Sequence, residues 1–429
     1  MLDRTKAPDI HEIDAVSLQI AEITHLDNGA RLHIIKSETQ PVIRLDFVFR
    51  AGKWYEPVTG VSDLASKMLM EGTLNYTAKQ IAEKIAFYGA SMDINHGYDR
   101  TELTVYCLAK YLQELLPLML EIIQNPTFPE EEYNLLKKRT IQTLKVQRQK
   151  NNYLATHAMT KLIYGENHPY IFGFDEHGLD NLELEQLKLF YQTRYRTENL
   201  EVFACGAVDN EMYDQLASSI EKLSLPNNTI AEGSIANKAL GDSKGNNYKL
   251  VEIADSLQSS IRIGRRFPLD SNPNYLKLKV MNEIFGGYFG SRLMKNIRED
   301  KGYTYGIYSA ISSKENDTLF FIGTDVKYSV TDDTISEIMK EIKKLKAEPV
   351  PEEELDTVKN YMLGKFINDI ATIFEQGDRY KKIVLHNLSM DYYNNYITTI
   401  RTITSAEITE LAQKYLQEED LFTAIAGRK

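Results

Sequence analysis

The sequence predicts an α+β fold made of two homologous halves, each an antiparallel sheet covered by helices on one face. First, the chain has 429 residues, which is too long for a single hydrophobic core. Second, strand-like and helix-like segments alternate along it, so that sheets and helices should pack in layers. Third, similar segments recur in the same order roughly 220 residues apart, which indicates a duplicated unit.

The predicted strands are short runs rich in β-branched and aromatic residues, bounded by polar turns. They cover residues 44–49, 102–106, 261–264 and 319–324. The predicted helices have apolar residues on one face and polar residues on the other. The clearest of them cover residues 111–124 and 331–345. Each half of the chain thus has its own strands and its own amphipathic helix.

Matching positions define the repeat. The pairs are Tyr88 with Tyr305 and Thr101 with Thr318, each 217 residues apart, and Pro129 with Pro351, 222 residues apart. Each of these prolines is followed by three glutamates and is predicted to open a helix. Proline suits the first helical turn because its missing N–H has no partner there, and the acidic run is stabilised by the helix dipole. These segments therefore have a structural explanation, and we assign them no catalytic role.

A polar stretch separates the halves. Between Leu225 and Asn247 most residues are small or polar, and such a composition cannot bury enough apolar surface to fold alone. We therefore predict an N-terminal half at residues 1–225, a linker at 226–246 and a C-terminal half at 247–429.

The composition restricts the function. The formal net charge is -11, which argues against a nucleic-acid partner because phosphate binding needs a basic surface. The N-terminus lacks the apolar segment of a secretory signal, and no apolar run approaches the roughly eighteen residues that span a bilayer. The two cysteines, Cys107 and Cys205, lie in apolar strand-like segments and are predicted to be buried. A cytoplasmic location is therefore the expectation.

The most informative segment covers residues 60–73. Some zinc hydrolases hold the metal with two histidines four residues apart on one helix face, and a glutamate between them activates water. At those positions this chain has Asp63, Ser66 and Lys67. The glycines and apolar residues of this segment resemble those of the His-x-x-Glu-His helix of the inverzincins, but the two metal ligands and the water-activating glutamate are replaced. A different hydrolase built on Asp63 and Lys67 is an alternative, but the same spacing gives an ordinary helix ion pair, which we favour.

The similarity extends over most of residues 20–220. Segments that follow one another as in a pitrilysin-type half domain are 28–32, 42–52, 89–93, 101–106, 125–128 and 164–169. The sequence thus resembles the pitrilysin-like zinc peptidases, which include the processing peptidases and their non-catalytic partner subunits. This resemblance implies two homologous halves, a peptide substrate, and a zinc-motif helix that is degenerate here.

The residues themselves argue against a zinc site in this chain. No two of the eight histidines lie within four residues of each other; they are His11, His25, His33, His96, His157, His168, His177 and His386. The resemblance places the third ligand, a glutamate, near residues 142–145, but no Asp or Glu occurs between Glu132 and Glu166. That interval contains several cations, which would repel a dication. We therefore expect no metal cofactor in this chain.

The second half keeps a different signature. The segments 286–287 and 291–293 precede Arg298 and Tyr305, which lie seven residues apart. In pitrilysin-type enzymes the matching Arg and Tyr reach the zinc centre of the first half. The resemblance therefore implies that Arg298 holds the substrate and that Tyr305 stabilises the oxyanion. The structural alternative is a surface arginine and an ordinary tyrosine. No Gly-Lys-Ser or Gly-Lys-Thr follows the glycines, so a nucleotide site is not predicted.

These observations favour a non-catalytic partner subunit of a heterodimeric zinc peptidase that encloses peptides or unfolded segments. A homologous partner subunit would supply zinc, the water-activating glutamate and the edge strand on which the substrate lies. This chain would contribute Arg298, Tyr305 and half of the chamber wall. The alternative is a structural or peptide-binding subunit of a larger complex, which would need neither residue. No membrane partner is predicted.

Overall fold

The computed structural model describes residues 18–174, 176–226 and 247–429. The strands of the first half are β1 (Glu22–His25), β2 (Arg31–Lys36), β3 (Val42–Phe49), β4 (Ser91–His96), β5 (Thr101–Leu108) and β6 (Leu200–Gly206). Its helices are α1 (Val61–Met68), α2 (Ala78–Phe87), α3 (Leu112–Gln124), α4 (Glu130–Gln147), α5 (Asn151–Tyr164), α6 (Glu176–Asp180), α7 (Leu184–Arg194) and α8 (Asn210–Glu221).

The second half repeats this plan with fewer elements. Its strands are β7 (Tyr248–Glu252), β8 (Gln258–Phe267), β9 (Ile307–Ser313), β10 (Thr318–Lys327) and β11 (Phe422–Gly427). Its helices are α9 (Tyr275–Asn282), α10 (Thr331–Ala347), α11 (Glu352–Asn368), α12 (Ile373–Leu385), α13 (Tyr392–Thr402) and α14 (Ser405–Tyr415). Two π-helical segments, Glu283–Gly287 and Met294–Asp300, lie between α9 and β9.

The two sheets share a five-stranded topology, and the first has one additional edge strand, β1. The first has the order β1-β2-β6-β3-β5-β4 and the second the order β7-β11-β8-β10-β9. In each sheet the last strand of the half pairs in parallel with an early one, β6 with β2 and β11 with β7. All other pairings are antiparallel. The two homologous halves are confirmed, but the predicted antiparallel sheets are mixed sheets, because the helices form a long crossover that returns the chain in the parallel direction.

The predicted repeat positions fall at equivalent points. Thr101 begins β5 and Thr318 begins β10, the matching strands of the two sheets. Pro129 directly precedes α4 and Pro351 directly precedes α11, each with three glutamates in the first helical turn. The acidic segments therefore serve as helix openings, as the sequence predicts.

The two halves exchange one helix each. Helix α5 of the first half packs on the sheet of the second, so close that a Cβ at Gly264 would lie 3.0 Å from Met159 Sδ. Helix α12 of the second half packs on β6, where a Cβ at Gly377 would lie 2.5 Å from Cys205 Sγ. Each sheet is thus covered by its own helices on one face and by a helix of the other half on the opposite face. The prediction of helices on one face therefore needs this correction, since periodicity does not show which sheet a helix covers.

An ion network joins α12 to the first sheet. The carboxylate of Asp46 is fully buried and lies 3.0 Å from Arg44 Nε and 3.1 Å from Lys381 Nζ. Lys381 also pairs with Glu102, and Asp378 lies 2.8 Å from Arg44 Nη2. Buried charges need such partners because their desolvation is costly.

Two hairpin turns also connect the halves. Arg100, between β4 and β5, forms an ion pair with Glu315, between β9 and β10. The Asp99 carboxylate accepts a hydrogen bond from the Glu315 backbone N–H at 3.1 Å. The Tyr170 hydroxyl accepts another from the Asn316 backbone N–H at 3.2 Å. The edge hairpin of the first sheet is therefore fixed against the second half.

Other predictions concern single features. Cys107 and Cys205 are both buried free thiols, and burial raises the pKa of each to about 11. Across residues 18–174, 176–226 and 247–429, no helix has the length and apolar character needed to cross a membrane. The predicted linker, 226–246, lies almost wholly outside the described residues.

Candidate functional site

The degenerate zinc motif forms helix α1. The residues that flank the replaced ligand positions begin this helix and pack it in the core. Gly60 precedes the helix with φ of 88°, in the left-handed region, and a Cβ there would lie 2.5 Å from Leu179 Cδ2. The Glu56 carboxylate accepts hydrogen bonds from the backbone N–H groups of Gly60 and Ser62, both at 3.1 Å. It thereby caps the positive end of the helix. The buried apolar residues of α1 are Val61, Leu64, Ala65 and Met68.

The polar face of α1 is occupied by its own ion pair. Lys67 Nζ lies 2.8 Å from Asp63 Oδ2. His96, at the end of β4, places Nδ1 3.7 Å from Asp63 Oδ1 and Nε2 2.5 Å from Ser62 Oγ. The Ser66 hydroxyl donates to the Asp63 backbone carbonyl at 2.8 Å, so it faces its own helix. Burial lowers the pKa of His96 to about 4, with the nearby ammonium groups acting in the same direction and Asp63 opposing them.

Catalysis by Ser62 is excluded because a substrate cannot reach its hydroxyl. Ser62, His96 and Asp63 have the residue types of a nucleophile, a base and an orienting carboxylate. However, Ser62 has no exposed surface, and its hydroxyl donates to the Glu56 carboxylate at 2.5 Å. A substrate carbonyl cannot reach this oxygen, so the cluster holds the strand β4 against α1. The Asp63–Lys67 pair is likewise the helix ion pair favoured from the sequence, and it gives no support to a second hydrolase chemistry.

A cavity of about 890 Å³ opens beside this cluster, between α1, α4, the edge strand β4 and residues 172–174. Its charged lining residues are Lys53, Asp63, Lys67, Glu71, Asp93 and Arg139. Its aromatic lining residues are Tyr98, Tyr153, Phe172 and Phe174. Among the described strands, β4 pairs only with β5, so its other edge is unpaired. The cavity therefore combines both signs of charge, aromatic surface and a sheet edge.

The residues present do not fit zinc. The two ligand positions on α1 carry Asp63 and Lys67, and the Lys67 ammonium already neutralises the one carboxylate. Within 142–145, the segment expected to carry the third ligand, the polar side chain that lines the cavity is that of Thr143. In the described parts of the chain, no three His, Cys, Asp or Glu side chains are grouped to hold a metal. Zinc needs three such ligands, so we derive no chemistry through a metal here.

The cationic character of α4 is less important than the sequence suggests. Of its lysines and arginines, Arg139 is the one that lines the cavity, while the remaining polar lining residues of α4 are Thr140, Thr143 and Gln147. Lys137 instead donates to the backbone carbonyls of Asp180 and Leu182, at 2.9 and 2.7 Å. The third ligand is missing because α4 presents no carboxylate to the cavity, and not because a row of cations faces it. Helical periodicity on α4 separates these two faces, but it does not show which of them lines the cavity.

Sequence reasoning missed two residues of the cluster. His96 has no second histidine near it in sequence, yet the strand β4 carries it to Asp63. Glu56 lies in the loop before α1, and its position as a helix cap could have been inferred from the following Gly60. Both contacts depend on how the loop and the edge strand pack against α1.

Arg298 and Tyr305 do not line this cavity. Arg298 lies on a π-helical segment with its guanidinium 4.6 Å from the ring centre of Phe289. Tyr305 precedes β9 with 97% of its surface exposed. Gly286 is required for packing, because a Cβ there would lie 2.6 Å from the Ser309 backbone nitrogen. The structure thus places the Arg/Tyr signature on the surface of the second half, apart from the Asp63 cluster.

Comparisons with known proteins agree with this architecture. Residues 31–168 match the family model "Insulinase (Peptidase family M16)", and residues 181–362 match "Peptidase M16 inactive domain". The chain belongs to the M16 peptidase family. The resemblance to pitrilysin-like peptidases is therefore confirmed. The M16 relatives include the "Non-peptidase homolog YmxG" of Helicobacter pylori, 22% identical with 96% of each chain covered. Another is the "Probable inactive metalloprotease YmfF" of Bacillus subtilis, 23% identical, with 92% of this chain and 96% of the relative covered.

Solved M16 structures share the fold. The crystal structure of a peptidase M16 inactive domain from Pseudomonas fluorescens superposes with a TM-score of 0.86 at 21% identity, covering 95% of this chain and 98% of that one. Within the M16 family, this chain is a member in which the ligand positions of the zinc-motif helix are replaced, while the helix itself is retained and packed in the core.

Proposed function

We propose that this chain is the non-catalytic subunit of a heterodimeric M16 peptidase and that it donates Arg298 and Tyr305 to the active site of its partner. One observation carries the proposal: Tyr305 is 97% exposed, and its hydroxyl has no hydrogen-bond partner within the described residues. A structural tyrosine normally buries its ring and satisfies its hydroxyl. An exposed tyrosine is instead available to a second molecule.

The chemistry assigned to the pair follows from its functional groups. A tyrosine hydroxyl can donate a hydrogen bond to the oxyanion that forms when water attacks a peptide carbonyl. An arginine offers several N–H donors in a fixed plane and can hold backbone carbonyls of an extended peptide. The contact of Arg298 with Phe289 limits the motion of the guanidinium, which favours a defined geometry. Zinc and the water-activating glutamate would come from the partner subunit.

A second candidate function is peptide binding without catalysis. The observation that favours it is the 890 Å³ cavity, whose wall includes the unpaired edge of β4. An extended peptide can add to such an edge by backbone hydrogen bonds. The aromatic and charged residues around it would then contact side chains of that peptide. In this case the exposed Tyr305 would have no catalytic part.

Reconstitution tests the first candidate. The chain is mixed with an M16 homologue from the same organism that has an intact His-x-x-Glu-His motif, and the mixture is separated by size-exclusion chromatography. We expect a one-to-one complex that hydrolyses unstructured peptides, while neither chain does so alone. A homologue that is fully active by itself and unaffected by this chain would contradict the proposal.

A matched pair of substitutions tests the second candidate. Thr143 and Gln142 are neighbouring exposed residues of α4, but Thr143 lines the cavity and Gln142 does not. Thr143→Trp should fill the cavity and weaken binding of a fluorescent unstructured peptide to the isolated chain, as measured by anisotropy. Gln142→Trp should leave that binding unchanged. Equal effects of the two substitutions would rule out the cavity as the peptide site.

A further inference from the structure

The second half contains its own cavity at the place that corresponds to the first. In the first half the cavity lies between α1, β4 and α4. The equivalents by element order are α9, β9 and α11, and between them lies a cavity of about 240 Å³ that α12 and α13 complete. The duplicated fold therefore forms two cavities, and neither of the two proposed functions requires the second one.

Cations outnumber carboxylates in this second cavity. The lining cations are Lys279, Lys365, Arg379 and Lys382, and the lining carboxylates are Glu283 and Asp369. Asp369 lies 2.9 Å from Arg379 Nη2, and Lys382 Nζ lies 3.6 Å from Asp270, outside the lining. Within the described residues, Lys279 and Lys365 have no carboxylate oxygen within 4 Å. Two ammonium groups are therefore left without a close counter-charge.

This arrangement disfavours the charged form of Lys279. Burial lowers the pKa of Lys279, the positive charges of Lys382 and Arg379 act in the same direction, and Glu283 opposes them; the result is a pKa of about 8. Burial also lowers the pKa of Lys382. Burial raises the pKa of the Glu283 carboxyl, while the positive charges of Lys365 and Lys279 oppose that rise. An anion between the lysines would relieve their mutual repulsion.

The hydroxyl of Tyr392 is a neutral hydrogen-bond donor that also favours an anionic ligand. Tyr392 lines the cavity with only 7% of its surface exposed, and its hydroxyl is buried without a hydrogen-bond partner. Buried hydroxyls are normally paired, because an unsatisfied polar group costs free energy. The side chain of Tyr392 also lies under the Lys382 ammonium, 5.6 Å from the ring centre. An acceptor held near these lysines could also accept from this hydroxyl.

We propose that this cavity binds a small oxyanion of the phosphate class, with Lys279 and Lys365 as its charge partners and Tyr392 as a hydrogen-bond donor. Oxyanions are recognised by converging N–H and O–H donors with positive charge, which is what these three side chains supply. The volume of about 240 Å³ is below the range typical of organic ligand sites, so it suits one phosphate group. That group would be inorganic phosphate or the terminal group of a phosphomonoester.

Calorimetric titration of the whole chain with inorganic phosphate, in chloride buffer of matched ionic strength, tests the proposal. We expect saturable binding that Lys279→Gln weakens by about tenfold or more, since charge-assisted bonds are among the strong ones. Lys340→Gln removes the same charge from an exposed position on α10, with 66% of its side chain accessible, and should bind as the wild type does. Equal affinity of the Lys279 and Lys340 variants would overturn the assignment.

A second variant keeps the test valid in case Lys279→Gln prevents folding. Lys365 lines the cavity but is exposed, so Lys365→Gln should fold normally and still weaken phosphate binding. Phenyl phosphate and acetate distinguish the sources of the anion. Binding of phenyl phosphate as tightly as phosphate indicates an open site for phosphomonoesters, and binding of phosphate alone indicates a closed one. Binding of acetate in place of phosphate, or no saturable binding of any of the three, would contradict the proposal.

Discussion

The ammonium of Lys67 lies 2.8 Å from the carboxylate of Asp63, one helical turn apart on the face where an inverzincin holds its metal. Each residue replaces a histidine, and together they form a neutral pair that satisfies the polar face of α1 from within the chain. His96 from β4 completes the cluster at 3.7 Å from Asp63. The helix can therefore remain packed in the core without a metal, because its charges are already compensated.

Restoring the motif on α1 should not restore a zinc peptidase. The wild-type chain should hold no stoichiometric zinc, and Asp63→His, Ser66→Glu and Lys67→His together should leave it without peptidase activity. The reason is that the cavity-facing side of α4 offers Thr143 where a third ligand is needed. Adding Thr143→Glu to the triple variant should produce clearly tighter zinc binding, measured by metal analysis after dialysis. Peptidase activity from the triple variant alone would show that another residue supplies the third ligand.

In the reconstituted complex, the two residues of the second half should affect different kinetic constants. Tyr305→Phe should lower kcat by about tenfold to a thousandfold with little effect on KM, as expected for one oxyanion donor. Arg298→Ala should impair both constants, because an arginine that holds the substrate acts in the ground state and the transition state. Tyr361→Phe is the control, since Tyr361 is another partly exposed tyrosine of this half. If neither Tyr305→Phe nor Arg298→Ala changes the kinetics, the chain acts as a scaffold.

The ion network between the halves should contribute measurably to stability. Lys381→Ala would leave the fully buried Asp46 and the nearby Glu102 with one cation fewer. We expect a loss on the order of 3 kcal/mol in the free energy of unfolding, because one partner of a buried pair is removed while Arg44 remains. Lys79→Ala is the surface control, with 83% of its side chain exposed, and should change stability by less than about 0.5 kcal/mol. Equal urea midpoints for the two variants would show that the network contributes nothing.

His96 should make the folded state sensitive to acid. Its pKa is about 4 in the folded chain, lowered mainly by burial, against about 6.5 in an unfolded one. Between these values the unfolded chain binds more protons, so stability is complete above pH 6.5 and falls as the pH decreases toward 4. His96→Asn should remove this part of the acid sensitivity, on the order of 2–3 kcal/mol across the window. Urea unfolding of both proteins at several pH values measures it. Identical pH slopes would mean that His96 is protonated in the folded state.

Local sequence patterns were sufficient to predict many structural features of this chain. The prolines and glutamates before α4 and α11, the repeat of Thr101 and Thr318, and the replaced ligands on α1 could all be read along the chain. Helix openings, strand starts and ligand spacings depend on residues close together in sequence, and these rules apply before any tertiary contact forms. The sequence by itself therefore determined the duplicated α+β plan and the degenerate character of the zinc-motif helix.

Only the tertiary structure decided the arrangement that brings distant residues together. An amphipathic helix can cover any apolar sheet face, so periodicity did not show that α5 and α12 are exchanged between the halves. Nor did it show that His96 joins Asp63, or that Thr143 rather than Gln142 faces the cavity. The four cations of the second cavity lie on three helices, and no local pattern links them. Such contacts arise from close packing between segments far apart in the chain, which fixes their positions only when the whole core has formed.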